Sequence, residues 1–154
     1  MDRELFSQDA SVSWEELLSE TTRRLEGDNA ELEAKWMIEE VSGVTNLHDY
    51  QEQAKPIQLK RLSKLIARRL TGEPLQYVLG RWQFRELDLF VDDRVLIPRP
   101  ETEILVGYAL EECKSKKNQL DETRSLNVAD LGCGSGAIGL SIAREIQEVS
   151  VWCT

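Results

Sequence analysis

Apolar residues recur every three to four positions up to Leu70 and every second position after Gly80, so the chain opens with helices and goes on to strands. Ser13-Trp14-Glu15-Glu16 has the Ser-x-x-Glu form of a helix start, in which hydroxyl and carboxylate each satisfy an amide left unpaired in the first turn. Trp14, Leu17, Leu18, Thr21 and Leu25 follow at helical spacing, and Gly27 can take the left-handed conformation that ends a helix. Asp28 or Asn29 caps a second helix, with a stripe of Ala30, Ala34, Met37, Ile38 and Val41 that Leu32 and Trp36 widen and Gly43 closes. Val44 to Lys55 is polar and without clear period. Pro56 stands where a first turn tolerates a missing amide, ahead of Leu59, Leu62, Leu65, Ile66 and Leu70, and Gly72 and Pro74 stop that helix. Short amphipathic helices bury their faces only against one another, so residues 1–71 are expected to form a small helical bundle.

Trp82 and Phe84, then Leu87, Leu89 and Val91, alternate with polar residues around Arg85-Glu86 and predict a β-hairpin within a connecting segment, residues 72–100. Pro98 and Pro100 hold Arg99 extended, and Thr102 is expected to open a helix that turns Leu105, Tyr108 and Ala109 inward. Lys114 to Ser125 reads as a surface connection. From there the order is a strand at Asn127–Leu131, a glycine-alternating turn at Gly132–Gly136, a helix at Ala137–Glu145 and a strand from Val149. That order opens a doubly wound sheet, so residues 101–154 read as the first strand-helix-strand of an α/β domain, with the sequence stopping in its second strand.

Composition narrows the function. A net charge of −9 disfavours broad nucleic-acid binding. No apolar run approaches the ~18 residues of a membrane span and the first residues lack a secretory pattern, so a cytoplasmic protein is expected. Cys113, Cys133 and Cys153 are too dispersed for a zinc site or a disulfide framework and read as reduced, with no metal expected. Lys55, Lys60, Arg61, Lys64, Arg68 and Arg69 lie in a stretch free of acids, read either as a solvated helix face or as a dock for an acidic partner.

Glycine at 132, 134 and 136 strips three side chains from a strand-to-helix turn, so a small anionic or zwitterionic ligand can lie on bare backbone at the positive end of a helix. Gly134-Ser135-Gly136-Ala137-Ile138-Gly139 also fits the dinucleotide pattern G-x-G-x-x-G. Asp130 bears on that choice: a carboxylate there can meet an ammonium and would repel a pyrophosphate, although it can equally cap the turn.

Gly72-Glu73-Pro74-Leu75-Gln76-Tyr77, Phe84, Leu96-Ile97-Pro98-Arg99-Pro100-Glu101-Thr102-Glu103 and Asp130-Leu131-Gly132-Cys133-Gly134-Ser135-Gly136-Ala137-Ile138 together resemble the release factor glutamine methyltransferase family, in order and in spacing. The resemblance is strongest from Gly72 to Ala143. It implies a class I, Rossmann-like methyltransferase domain behind a helical recognition domain. The implied reaction is N5-methylation of the glutamine in the Gly-Gly-Gln motif of peptide chain release factors, with S-adenosylmethionine as donor. The family's cofactor loop maps onto Gly132, Cys133, Gly134, Ser135 and Gly136, with Asp130 before it, and its proline-arginine-proline segment makes Arg99, Pro100, Glu101 and Thr102 lining residues.

The family's Asn-Pro-Pro-Tyr motif, which binds the target glutamine, does not occur in these 154 residues. No residue here is therefore assigned as catalytic, and the chain alone is expected to be inactive, while the complete protein is expected to be a monomer. His48, the only histidine, sits in a polar stretch and is expected to face solvent. Two other readings stand beside this one: a nicotinamide-dinucleotide domain, and a non-enzymatic adaptor that binds a partner through its helices.

Overall fold

The computed structural model describes residues 12–43, 52–119 and 124–154. His48 and most of the polar stretch around it lie outside the described residues. The chain divides into two compact units, one ending at Leu79 and one beginning at Gly80.

The first unit is helical: α1 (Trp14–Leu25), α2 (Ala30–Ser42), α3 (Pro56–Leu70) and α4 (Leu75–Leu79). The predicted capping box is formed, with the Ser13 amide donating to Glu16 Oε2 at 2.9 Å and the Glu16 amide to Ser13 Oγ at 3.3 Å. Ala30, Ala34, Met37, Ile38 and Val41 are all buried, as their spacing requires. Their neighbour Leu32 is instead exposed. Trp14, Leu17, Met37, Ile38, Leu59, Leu62 and Ile66 form one core, and Leu75 and Val78 of α4 join it. Gly72 and Pro74 thus interrupt the helical run without ending the unit.

The second unit is mixed α/β: β1 (Arg81–Phe84), β2 (Leu87–Phe90), α5 (Pro100–Lys117), β3 (Leu126–Asp130), α6 (Ala137–Glu145) and β4 (Val149–Cys153). β1 and β2 are the predicted antiparallel hairpin, with Phe84 opposite Leu87, and Phe84, Leu89 and Val91 are buried. β3 and β4 pair in parallel from Leu126 opposite Val149 to Asp130 opposite Cys153, and α6 is the crossover that parallel neighbours require.

Three details differ from the sequence reading. α5 starts at Pro100, because Arg99 takes the extended cap conformation and proline suits the first helical position. It buries Val106, Leu110 and Cys113, while Leu105 and Tyr108 are exposed. Apolar residues occupy almost every position from Ile104 to Leu110, so their spacing does not select one face. Lys114 to Lys117 belong to the last turn of α5, where cations meet the negative end of the helix, rather than to a connection. Among the described residues no helix is long and apolar enough to cross a membrane, and no cluster of three His, Cys, Asp or Glu could hold a metal ion.

Candidate functional site

Asp130 ends β3 with its side chain buried, and its Oδ2 accepts the Gly139 amide at 2.9 Å. The carboxylate therefore caps the first turn of α6, where free amides and the helix dipole favour negative charge. Oδ1 carries no protein hydrogen bond among the described residues.

Gly132, Gly134 and Gly136 have φ of 72°, 54° and 77°. Side chains there would cost about 1–2 kcal/mol each in backbone strain. A Cβ on Gly132 or Gly134 would meet nothing within 4 Å, so it is the left-handed backbone, not crowding, that calls for glycine at those two positions. The Gly132 and Cys133 amides donate to the Thr154 carbonyl at 2.9 and 3.1 Å, and the Gly136 amide donates to Cys133 O at 2.8 Å. The turn is thereby anchored to the end of β4. The Gly134 and Ser135 amides make no backbone bond among the described residues and stand beside the start of α6. The result is an exposed stretch of bare backbone with positive potential, backed by one carboxylate, which suits a zwitterion.

Gly139 is glycine for another reason. A Cβ there would lie 2.6 Å from Cys153 Sγ, 3.1 Å from Asp130 Oδ2 and 3.2 Å from Val151 Cγ1. Packing of α6 on β4 thus accounts for the third glycine of the G-x-G-x-x-G spacing without any ligand.

Around the start of α5, Pro98 is buried, Arg99, Pro100 and Glu101 are exposed, and the Thr102 amide donates to the Arg99 carbonyl at 2.9 Å. Among the described residues no hydrogen bond or ion pair links Arg99–Thr102 to Gly132–Gly136. Their two helices are instead joined through Arg85, in the hairpin turn. Its Nε and Nη2 both donate to the Glu145 carboxylate at 2.7 Å, its amide donates to Glu103 Oε1 at 3.3 Å, and its Nη1 to Glu103 O at 3.3 Å. One side chain thus ties the hairpin to the first turn of α5 and the last residue of α6. From the sequence alone Arg85-Glu86 reads only as a turn. The signal was an arginine where hairpin turns favour glycine or asparagine, and its φ is 51°.

The bidentate Arg85 hydrogen bonds hold the Glu145 carboxyl below its ordinary value of 4.5, and Arg85 is raised in turn. A depressed carboxylate stabilises the fold above its unfolded pKa, and that contribution is lost as pH falls through the folded value. Arg85→Ala is expected to cost about 1–2 kcal/mol in urea unfolding near neutral pH. The difference should shrink well below about pH 4. An equal cost at both pH values would contradict the ion-pair assignment.

The three arginines of the basic run prove committed within their own unit. Arg61 pairs with Glu40 and Arg69 with Glu33, while Arg68 binds Glu73 and the carbonyls of Tyr77 and Val78. Arg68 thereby fastens α4 to α3. Lys60 and Lys64 are exposed, with no side-chain partner among the described residues. A surface depression of about 630 Å³ beside Gly80, Phe90 and Val91 contains none of the predicted site residues, and its charged lining, Asp92 and Arg94, is self-paired.

Residues 16–80 match the PrmC N-terminal domain family. A release factor glutamine methyltransferase of Lactococcus lactis is 40% identical over 139 residues, 90% of this chain and 48% of that protein. One from Coxiella burnetii is 51% identical over 88 residues, 57% of this chain and 29% of that protein. The human MTRF1L release factor glutamine methyltransferase is 42% identical over 94 residues, 61% of this chain and 28% of that protein. The chain thus spans less than half the length of these curated relatives.

Proposed function

Because the chain belongs to the release factor glutamine methyltransferase family, we propose that it serves S-adenosylmethionine-dependent N5-methylation of the Gly-Gly-Gln glutamine of peptide chain release factors. The observation that carries the cofactor assignment is the bare, left-handed turn at the start of α6 with the buried Asp130 carboxylate behind it. The Gly134 and Ser135 amides suit the carboxylate of the cofactor's methionine end, and Asp130 Oδ1 suits its ammonium. Bound there, the cofactor supplies an electrophilic sulfonium methyl group. In this reading the parallel β3 and β4 with α6 between them open a Rossmann-like sheet, and Arg99, Pro100, Glu101 and Thr102 line the reaction space. The nicotinamide alternative loses ground because its pyrophosphate would meet the Asp130 carboxylate, whereas the packing of Gly139 suits both readings.

An amide nitrogen is a poor nucleophile and must be oriented by acceptors for its hydrogens in a site closed to water. In the family, Asn-Pro-Pro-Tyr does this, and the motif does not occur in the 154 residues. The chain alone therefore transfers no methyl group, and it binds cofactor weakly because the turn and Asp130 meet only the methionine end. Ligand-observed NMR with S-adenosylmethionine and NAD tests the assignment. Saturation transfer to S-adenosylmethionine alone, displaced by S-adenosylhomocysteine, is expected, and transfer to NAD instead would overturn it.

The helical unit is the docking element in this account, through Lys60 and Lys64, two exposed lysines of α3 with no ion pair among the described residues. In an enzyme of full length, Lys60→Glu with Lys64→Glu is expected to raise KM for a release factor roughly threefold to tenfold at unchanged cofactor affinity. Unchanged kinetics would return both residues to a solvated face. Arg68 is unsuited to this test because its loss would detach α4.

A further inference from the structure

Both Cys133, inside the glycine turn, and Cys153, the last residue of β4, are free thiols at the same end of the parallel pair. The backbone holds them there. Cys153 is the ladder partner of Asp130, the Thr154 amide donates to Asp130 O at 3.1 Å, and the Thr154 carbonyl accepts the Cys133 amide. The side chains act on one another as well: the Cys133 thiol is among the groups that push the Cys153 thiol up, and Cys153 Sγ abuts Gly139. The third cysteine, Cys113, is buried in α5.

We infer that Cys133 and Cys153 are an oxidisable pair whose disulfide clamps the Gly132–Gly136 turn onto β4. That the clamp regulates cofactor binding rests on the proposed function; that it forms does not. The oxidant is hydrogen peroxide. The Cys133 thiolate attacks the peroxide oxygen, the O–O bond breaks and hydroxide leaves, giving a sulfenic acid. The Cys153 sulfur then attacks the sulfenic sulfur, the S–O bond breaks and water leaves. Two thiols have lost two electrons and two protons, and the peroxide has become two waters. Desolvation and the neighbouring Asp130 push the Cys153 thiol up, which suits Cys153 to the resolving role. A disulfide fixes the sulfurs at about 2.05 Å. The turn, with three left-handed glycines, is the part that yields, and its bare amides are displaced from the cofactor's carboxylate.

The test is hydrogen peroxide treatment of the 154-residue chain, alkylation of remaining thiols, and peptide mapping by mass. Expected is an intramolecular Cys133–Cys153 cross-link, reversed by dithiothreitol, with Cys113 alone alkylated. It should form about tenfold or more faster than in urea, because the fold holds the thiols together. Cys153→Ser should abolish it and keep the cofactor affinity of the reduced chain. S-adenosylmethionine should slow it severalfold. Both cysteines recovered alkylated, or equal rates in urea, would overturn the pair. Cross-linking that the cofactor does not slow would overturn only its coupling to the turn.

Discussion

Asp130→Asn weakens S-adenosylmethionine binding by roughly tenfold to a hundredfold while changing stability by less than about 1 kcal/mol. The two effects separate because the carboxylate has two uses. Asparagine keeps an oxygen that can accept the Gly139 amide, now bonded at 2.9 Å, so the cap on α6 survives. It carries no charge for an ammonium, and hydrogen bonds to charged groups are worth about 1.5–3 kcal/mol. Asp130→Ala should lose both, leaving a buried amide unpaired and lowering stability as well. Titration by ligand-observed NMR, beside urea unfolding, distinguishes them. Affinity that holds or rises in the asparagine variant would mean that Asp130 is a cap alone, and would reopen the dinucleotide reading.

Gly139→Val is expected to destabilise the second unit by about 3 kcal/mol, at the upper end for overpacking a filled site. The first carbon of the new side chain would stand 2.6 Å from Cys153 Sγ, and Asp130 Oδ2 and Val151 Cγ1 lie close behind. Neither α6 nor β4 can move far, because the Asp130 hydrogen bond and the ladder from Leu126–Val149 to Asp130–Cys153 hold them. Adding Cys153→Ala should recover roughly 1 kcal/mol by removing the nearest atom, a coupling that a double-mutant cycle measures. Hydrogen exchange of the β3 and β4 amides reads the loss directly. A neutral Gly139→Val would contradict the packing explanation.

What the sequence disclosed follows from how local each signal is. The capping box at Ser13, the Ala30–Val41 stripe and the Ala137–Glu145 helix are set by residues a few positions apart, and all three are in the structure. α4 is only five residues long, too short for a period, and its place in the core depends on Leu75 and Val78 meeting α3. The inward face of α5 failed for the opposite reason, since apolar residues occupy nearly every position of its first half. Arg85 and Glu145 lie 60 residues apart, and no local pattern links them. The acids that neutralise Arg61 and Arg69 likewise come from α2. Within the site, the glycine turn was legible as backbone chemistry. That Gly139 serves packing, and that Asp130 already holds one amide, needed the fold.

Transfer of a labelled methyl group from S-adenosylmethionine to a release factor carrying Gly-Gly-Gln tests the central claim most directly. The 154-residue chain should give no counts above background, and a protein that carries this chain through to an Asn-Pro-Pro-Tyr motif should place the label on the side-chain nitrogen of that glutamine. Turnover by the chain alone would show that the site is complete without that motif. Label on any other residue, or none from the longer protein, would contradict the proposed function itself.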